Sequence, residues 1–155
     1  MRDKRFVAVH RGGFLAKEQH QKLIEWAKKC SEHVLPLMGK NIDSRLMTAL
    51  DVAQKWKEGR ATVGEARKAA INVHALARES SEPVVKAIAR SVGHAVATAH
   101  MADHSVGAAL YARRAVKHSG KSVEAERHWQ MMQLPSEIKE ITLILMENKE
   151  KHFKI

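Results

Sequence analysis

Residues 91–112 read SVGHAVATAHMADHSVGAALYA, and this stretch decides the fold. Asp103 is its only carboxylate and it contains no Lys or Arg, in a chain whose residues are 28% charged. A run of this length could cross a bilayer, which takes about 20 apolar residues. Its content argues otherwise. His94, His100, Asp103 and His104 would each be costly in hydrocarbon, and the alanines and glycines supply too little apolar surface to offset them. No membrane partner is therefore expected. The stretch reads as the buried centre of an all-α domain, in which small residues let helices approach closely while Val92, Val96, Val106 and Leu110 fill the remaining space. A helix running unbroken from Pro83 to Lys117 would be unusually long. We expect a break near His100–Asp103, with Asp103 capping the second arm of a central helical hairpin.

Outward from that hairpin the sequence predicts a compact antiparallel array of six to seven helices in one domain spanning residues 1–155. Residues 1–15 form an arm that tucks Phe6, Val7 and Val9 against the core, with His10-Arg11-Gly12-Gly13 as its turn. Helix one covers about Lys17–Leu37 with Leu23, Trp26 or Ala27, Cys30, Val34 and Leu37 inward, and Pro36 kinks or stops it. Asp43 or Ser44 caps helix two, whose stripe is Leu46, Ala49, Leu50 and Ala53, with Trp56 left open as its fifth member, and Gly59 ends it in the left-handed position. Thr62-Val63-Gly64-Glu65 is a capping box opening helix three, with Ala66, Ala70, Val73 and Ala77 buried and His74 beside them. Ser81 caps helix four and Pro83 occupies its first turn. Ser122 caps helix six, assigned an apolar face of Val123, Ala125, Trp129 and Met132. Helix seven begins near Ser136 with Ile138, Ile141, Thr142 and Leu145 on one side. Residues 147–155 form a fraying charged tail.

Basic residues outnumber acidic ones 27 to 17, for a formal net charge of +10. The excess lies in the N-terminal half: residues 1–78 hold 16 basic and 8 acidic side chains. Such a field attracts an acidic partner, and Arg11, Arg45, Arg60, Arg67 and Arg78 are the candidate contacts. Nucleic acid is the weaker choice of partner, because there is no long Lys/Arg tract and the aromatic residues are too scattered for a stacking platform. Trp26, Trp56 and Trp129 are core residues or, where exposed, interface anchors. Cys30, the only cysteine, rules out an intrachain disulfide and sits on an apolar helical face as a small hydrophobe. The N-terminus lacks a secretory h-region, which makes the cytoplasm the expected compartment.

The sharpest polar constellation is His74, His94, His100, Asp103 and His104. In an unbroken helix His100 and His104 lie one turn apart. With His94 or His74 they could hold a metal, with Asp103 orienting an imidazole, and a metal-dependent hydrolase is the alternative function. The favoured reading is structural: imidazoles locked between close-packed helices, hydrogen-bonded to a carbonyl, Asp103, Thr98 or Ser105, with no cofactor required. No GxSxG elbow supports nucleophilic catalysis.

Three segments together resemble a known family: WAKKCSEHVLPLM at residues 26–38, GHAVATAHMADHSVGAALYA at 93–112 and EAERHWQMMQLPSEI at 124–138. They are similar to the immunity proteins of bacterial polymorphic toxin systems, in the helical family termed immunity-type-five-like. The resemblance implies a small, non-enzymatic cytosolic protein that binds and neutralises a cognate toxin, often encoded beside it. It transfers no catalytic residues, and it leaves the oligomeric state open, a homodimer included.

Overall fold

The structure is a computed structural model and describes residues 2–155. Among the described residues seven α-helices follow one another: α1 Lys17–Val34, α2 Ser44–Lys57, α3 Val63–Glu79, α4 Pro83–Ala97, α5 His104–His118, α6 Val123–Met132 and α7 Ser136–Glu150. The architecture is an all-helical array built on the α4–α5 hairpin, whose two arms pack on each other more extensively than any other pair. None of residues 91–112 is exposed. The break falls at residues 98–103, between the end of α4 at Ala97 and the start of α5 at His104.

Two apolar clusters flank the hairpin. The first gathers the inner faces of α2, α3 and α4, including Leu50, Val73, Ile88 and Val92. The second joins Phe6 and Leu15 of the arm to Leu23 and Trp26 of α1, Val106 and Leu110 of α5, and Ile138 and Met146 of α7. Helices α1 and α5 contribute to both: Ile24 and Val34 face the first cluster while Trp26 and Cys30 face the second, and Val116 and Leu110 divide in the same way. Ala27 of α1, Ala95 of α4 and Ala108 of α5 form a third, all-alanine cluster where these helices meet. Nearby, Ser91 Oγ donates to the Ala108 carbonyl at 2.7 Å and lies 2.8 Å from Ser31 Oγ. This hydroxyl pair fixes the register of three helices at once.

The local signals set most boundaries. Asp43 accepts from Arg45 N–H at the start of α2, Thr62 and Glu65 form the capping box of α3, and Ser122 accepts from Ala125 N–H at the start of α6. Gly59 takes a φ of 78° after α2. Helix α1 stops at Val34, and the Pro36 segment continues as a 3-10 turn, Leu35–Met38.

Four expectations need correction. Ser81 does not cap α4: Glu82 holds the N-cap position without a side-chain bond, and Ser80 Oγ receives the Glu82 N–H. Asp103 stands at the N-cap of α5 but makes no cap bond, because its carboxylate binds Arg2 at 3.0 Å. Val9 of the arm is 60% exposed instead of tucked inward. Helix α6 buries Glu126 and Gln130, leaving Met132 at 69% exposure, since its inner side must meet a buried arginine.

That arginine is Arg113 on α5, 1% exposed. Its Nε donates to Gln130 Oε1 at 2.9 Å and its Nη1 to Glu150 Oε2 at 2.9 Å. Gln130 completes the network by donating to the Ala109 carbonyl and accepting, through its own carbonyl, from the Trp26 indole. Paired and hydrogen-bonded in this way, the buried charge is tolerated. In the tail, Phe153 packs edge-on to Tyr111, and Arg114 lies 4.2 Å above the Phe153 ring. No helix among the described residues is long and apolar enough to cross a membrane.

Candidate functional site

Two polar assemblies sit against the hairpin. The first is a ladder of imidazoles across α3, α4 and α5. Its geometry depends on two glycines inside helices. A Cβ on Gly93 would come within 2.6 Å of His74 Cε1, and one on Gly107 within 2.6 Å of His94 Nδ1. The missing side chains are the space in which the rings lie. His94 Nδ1 stands 3.1 Å from His104 Nδ1, so one nitrogen donates and the other accepts, and both rings cannot be protonated at these atoms. His94 stacks on Tyr111 and meets the edge of His74. His74 Nδ1 accepts from the Arg90 guanidinium at 2.7 Å.

Burial, reinforced by these neighbouring cations, holds the rings neutral. His94 is pushed down to about 3 by desolvation first and then by His104 and His74. His74 falls to about 4 by desolvation and the adjacent Arg90. The His104 pKa is lowered by burial, with Asp103 opposing. Groups so shifted are weak proton acceptors near neutrality. Among the described residues, no group of three or more His, Cys, Asp or Glu side chains is arranged to hold a metal ion. The constellation read from the sequence therefore divides. His74, His94 and His104 come together, Asp103 turns to Arg2, and His100 lines a different cavity. Thr98 Oγ1 donates to the His94 carbonyl and not to its ring, and Ser105 Oγ is buried without a partner.

The second assembly is a cleft of about 550 Å³ beneath the N-terminal arm, bounded also by α1, α2, α3 and the 98–103 link. The arm is shaped by its two glycines: Gly12 has a φ of 88°, and any Cβ on Gly13 would overlap the Val7 carbonyl. Leu15 N–H returns to the Val7 carbonyl at 2.9 Å, which closes the turn. Phe6, Leu15, Trp56, Val63 and Ala99 give the cleft apolar walls, while Arg2, Arg11 and Lys17 supply cations and His10 and His100 supply imidazoles to the rest of its lining. His20 Nε2 donates to the Thr98 carbonyl at 2.6 Å and its ring leans on Trp56, with centroids 4.7 Å apart. Burial lowers the His20 pKa against the opposing effect of that hydrogen bond. His100 is lowered by desolvation and by Arg67, Arg11 and Arg2. Arg2 and His20 had no periodic or motif signal marking them for this cavity, and the helix-two periodicity that reaches Trp56 points to the core, against which it also packs. Trp56 alone was legible as a possible anchor.

The five arginines chosen as partner contacts also divide. Arg45 is engaged by Asp43 at 3.0 Å and Glu79 at 3.1 Å, and Arg60 by Glu58. Arg11, Arg67 and Arg78 are exposed. On α3, Arg67, Ile71 and Arg78 recur at helical spacing and share one outer face, with Ile71 64% exposed. Trp26 is buried and Trp56 half-buried, and Trp129 stacks flat on His33 at 3.5 Å.

The protein is thus a helical scaffold with a locked, histidine-bearing centre, and apart from the buried Arg113 the basic side chains discussed above lie on its outside or in the cleft beneath the arm. The chain belongs to the family described as "Imm-5 like putative immunity protein", whose model matches residues 13–137. No curated protein and no solved structure matches it.

Proposed function

We propose that this protein is a non-enzymatic, cytoplasmic immunity factor that neutralises a cognate toxin by covering it. The contact face we assign joins the N-terminal arm to the outer side of α3. One observation carries the assignment: two exposed apolar side chains of the arm, Val9 and Phe14 at 60% and 70% exposure, flank Arg11, and the Arg67–Ile71–Arg78 stripe of α3 repeats the same mixture. Cationic groups around exposed apolar anchors suit an acidic partner surface, with charge guiding encounter and apolar contacts holding the complex. Val63, at the start of α3, lines the cleft together with Val9 and Arg11, which makes the two halves of the face contiguous. The family supports a toxin as the partner.

The test is coexpression with a candidate toxin of a polymorphic toxin system, taken from a neighbouring reading frame where one is found. The wild-type chain is expected to restore growth and to copurify with the toxin. Charge reversal at three exposed positions, Arg11→Glu, Arg67→Glu and Arg78→Glu, is expected to abolish both without lowering the unfolding midpoint. Protection that survives all three reversals would place the contact elsewhere, and a wild-type chain that neither binds nor protects would refute the immunity role.

A further inference from the structure

We propose that the cleft beneath the N-terminal arm is a binding site for a small amphipathic anion, an aromatic body bearing one acidic head group. Three features of the cavity point to this class of ligand. Its volume of about 550 Å³ falls within the range of small-molecule sites, roughly 300–1,000 Å³. Its walls are apolar, and they include the half-buried Trp56 indole with the His20 ring leaning on it, a surface suited to a flat ring. The remaining lining is basic: Arg2, Arg11 and Lys17 contribute cations, the His10 and His100 imidazoles add ring N–H groups, and among the described residues no carboxylate lines it.

Of these cations only Arg2 is in an ion pair among the described residues, and Arg11 and Lys17 have none. Asp103 accepts from Arg2 Nη2 at 3.0 Å, and the same nitrogen also donates to the Phe6 carbonyl. Arg2 Nε is left buried without an acceptor. A buried guanidinium N–H with no partner costs free energy that an anion's oxygen would recover. A neutral ligand would satisfy the walls and waste the cations, whereas a bare inorganic anion would satisfy the cations and leave the apolar volume unfilled. The ligand that uses both is amphipathic.

This inference does not rest on the immunity reading, and its test uses the full chain alone. Isotope-labelled protein is titrated with anilinonaphthalene sulfonate and, separately, with the uncharged N-phenylnaphthylamine, following amide shifts and calorimetry. The expected result is one sulfonate bound per chain, with shifts concentrated at His20, Trp56, Val63 and Ala99, and at least about tenfold weaker binding of the neutral compound. Arg11→Ala combined with His100→Ala changes two accessible lining residues. It is expected to weaken the sulfonate about tenfold while leaving the neutral compound and the unfolding midpoint unchanged. Equal affinity for the two probes, shifts centred on exposed Phe14 or Met132, or a double variant that binds like wild type would each overturn the proposal. So would an absence of binding, the result expected if the cavity accepts only a side chain of a protein partner.

Discussion

Gly107 determines where the His94 ring can lie, because a Cβ at that position would occupy the space of the imidazole. Gly107→Ala is therefore expected to destabilise the fold by about 1–3 kcal/mol through overpacking, measured by urea denaturation. In a His94→Ala background the same substitution should be nearly neutral or stabilising, since the clash is gone and alanine favours helix by about 1 kcal/mol. A cost that persists in that background would show that the backbone, and not the ring, needs the glycine. The ladder also predicts a pH dependence. His94 and His74 bind protons more weakly in the folded chain than at their ordinary value of 6.5, so between the two values the unfolded chain holds more protons. Stability is then fully present above about pH 6.5 and falls as the solution is acidified toward pH 3–4. For His94 alone the loss at pH 5 is on the order of 2 kcal/mol, and the more accessible His74 adds less. His94→Gln should flatten the stability profile between pH 5 and 7. A profile unchanged by that substitution would count against buried neutral imidazoles as the source.

Among the elements, α6 is the instructive one, because its sequence promised an apolar face and its structure buries Glu126 and Gln130. Arg113 explains the difference: the helix is held by a hydrogen bond to a guanidinium on α5, 17 residues earlier in the chain. Arg113→Leu should cost about 3 kcal/mol, the low end of the range for breaking a buried charge pair, since Arg127 still holds Glu150 at 3.0 Å. A loss well under 1 kcal/mol in thermal or chemical unfolding would show that apolar contacts suffice to seat α6. The contrast shows which features of this chain could be read in advance. Asp43, the Thr62–Glu65 box, Ser122 and Gly59 act within a few residues of themselves, so their roles were visible from spacing alone. The cap that failed at Asp103 has a distant cause. Asp103 pairs with a residue 101 positions away, and periodicity carries no information about such a partner. The histidine site was half legible for the same reason. The stretch and its break could both be read in advance, but which histidines meet across the break, His94 and His104, is set by how the two arms pack and not by spacing.

For the whole molecule, a net charge of +10 concentrated in the N-terminal half predicts strongly salt-dependent recognition. Association with the toxin should slow by about tenfold or more between 0.05 and 0.5 M salt, with dissociation much less affected, as stopped-flow or surface-based kinetics would show. A rate insensitive to salt would remove charge steering from the account. The basic excess was plain in the composition, yet only folding revealed which arginines are engaged by Glu58, Asp43 and Glu79 and which stand free. The sharing of α1 and α5 between two apolar clusters has a further consequence. Neither half of the interior has its own complete set of walls, so neither can melt while the other survives. The slowest-exchanging amides should lie in these two helices and report a single opening energy, wherever along the chain a destabilising lesion is introduced.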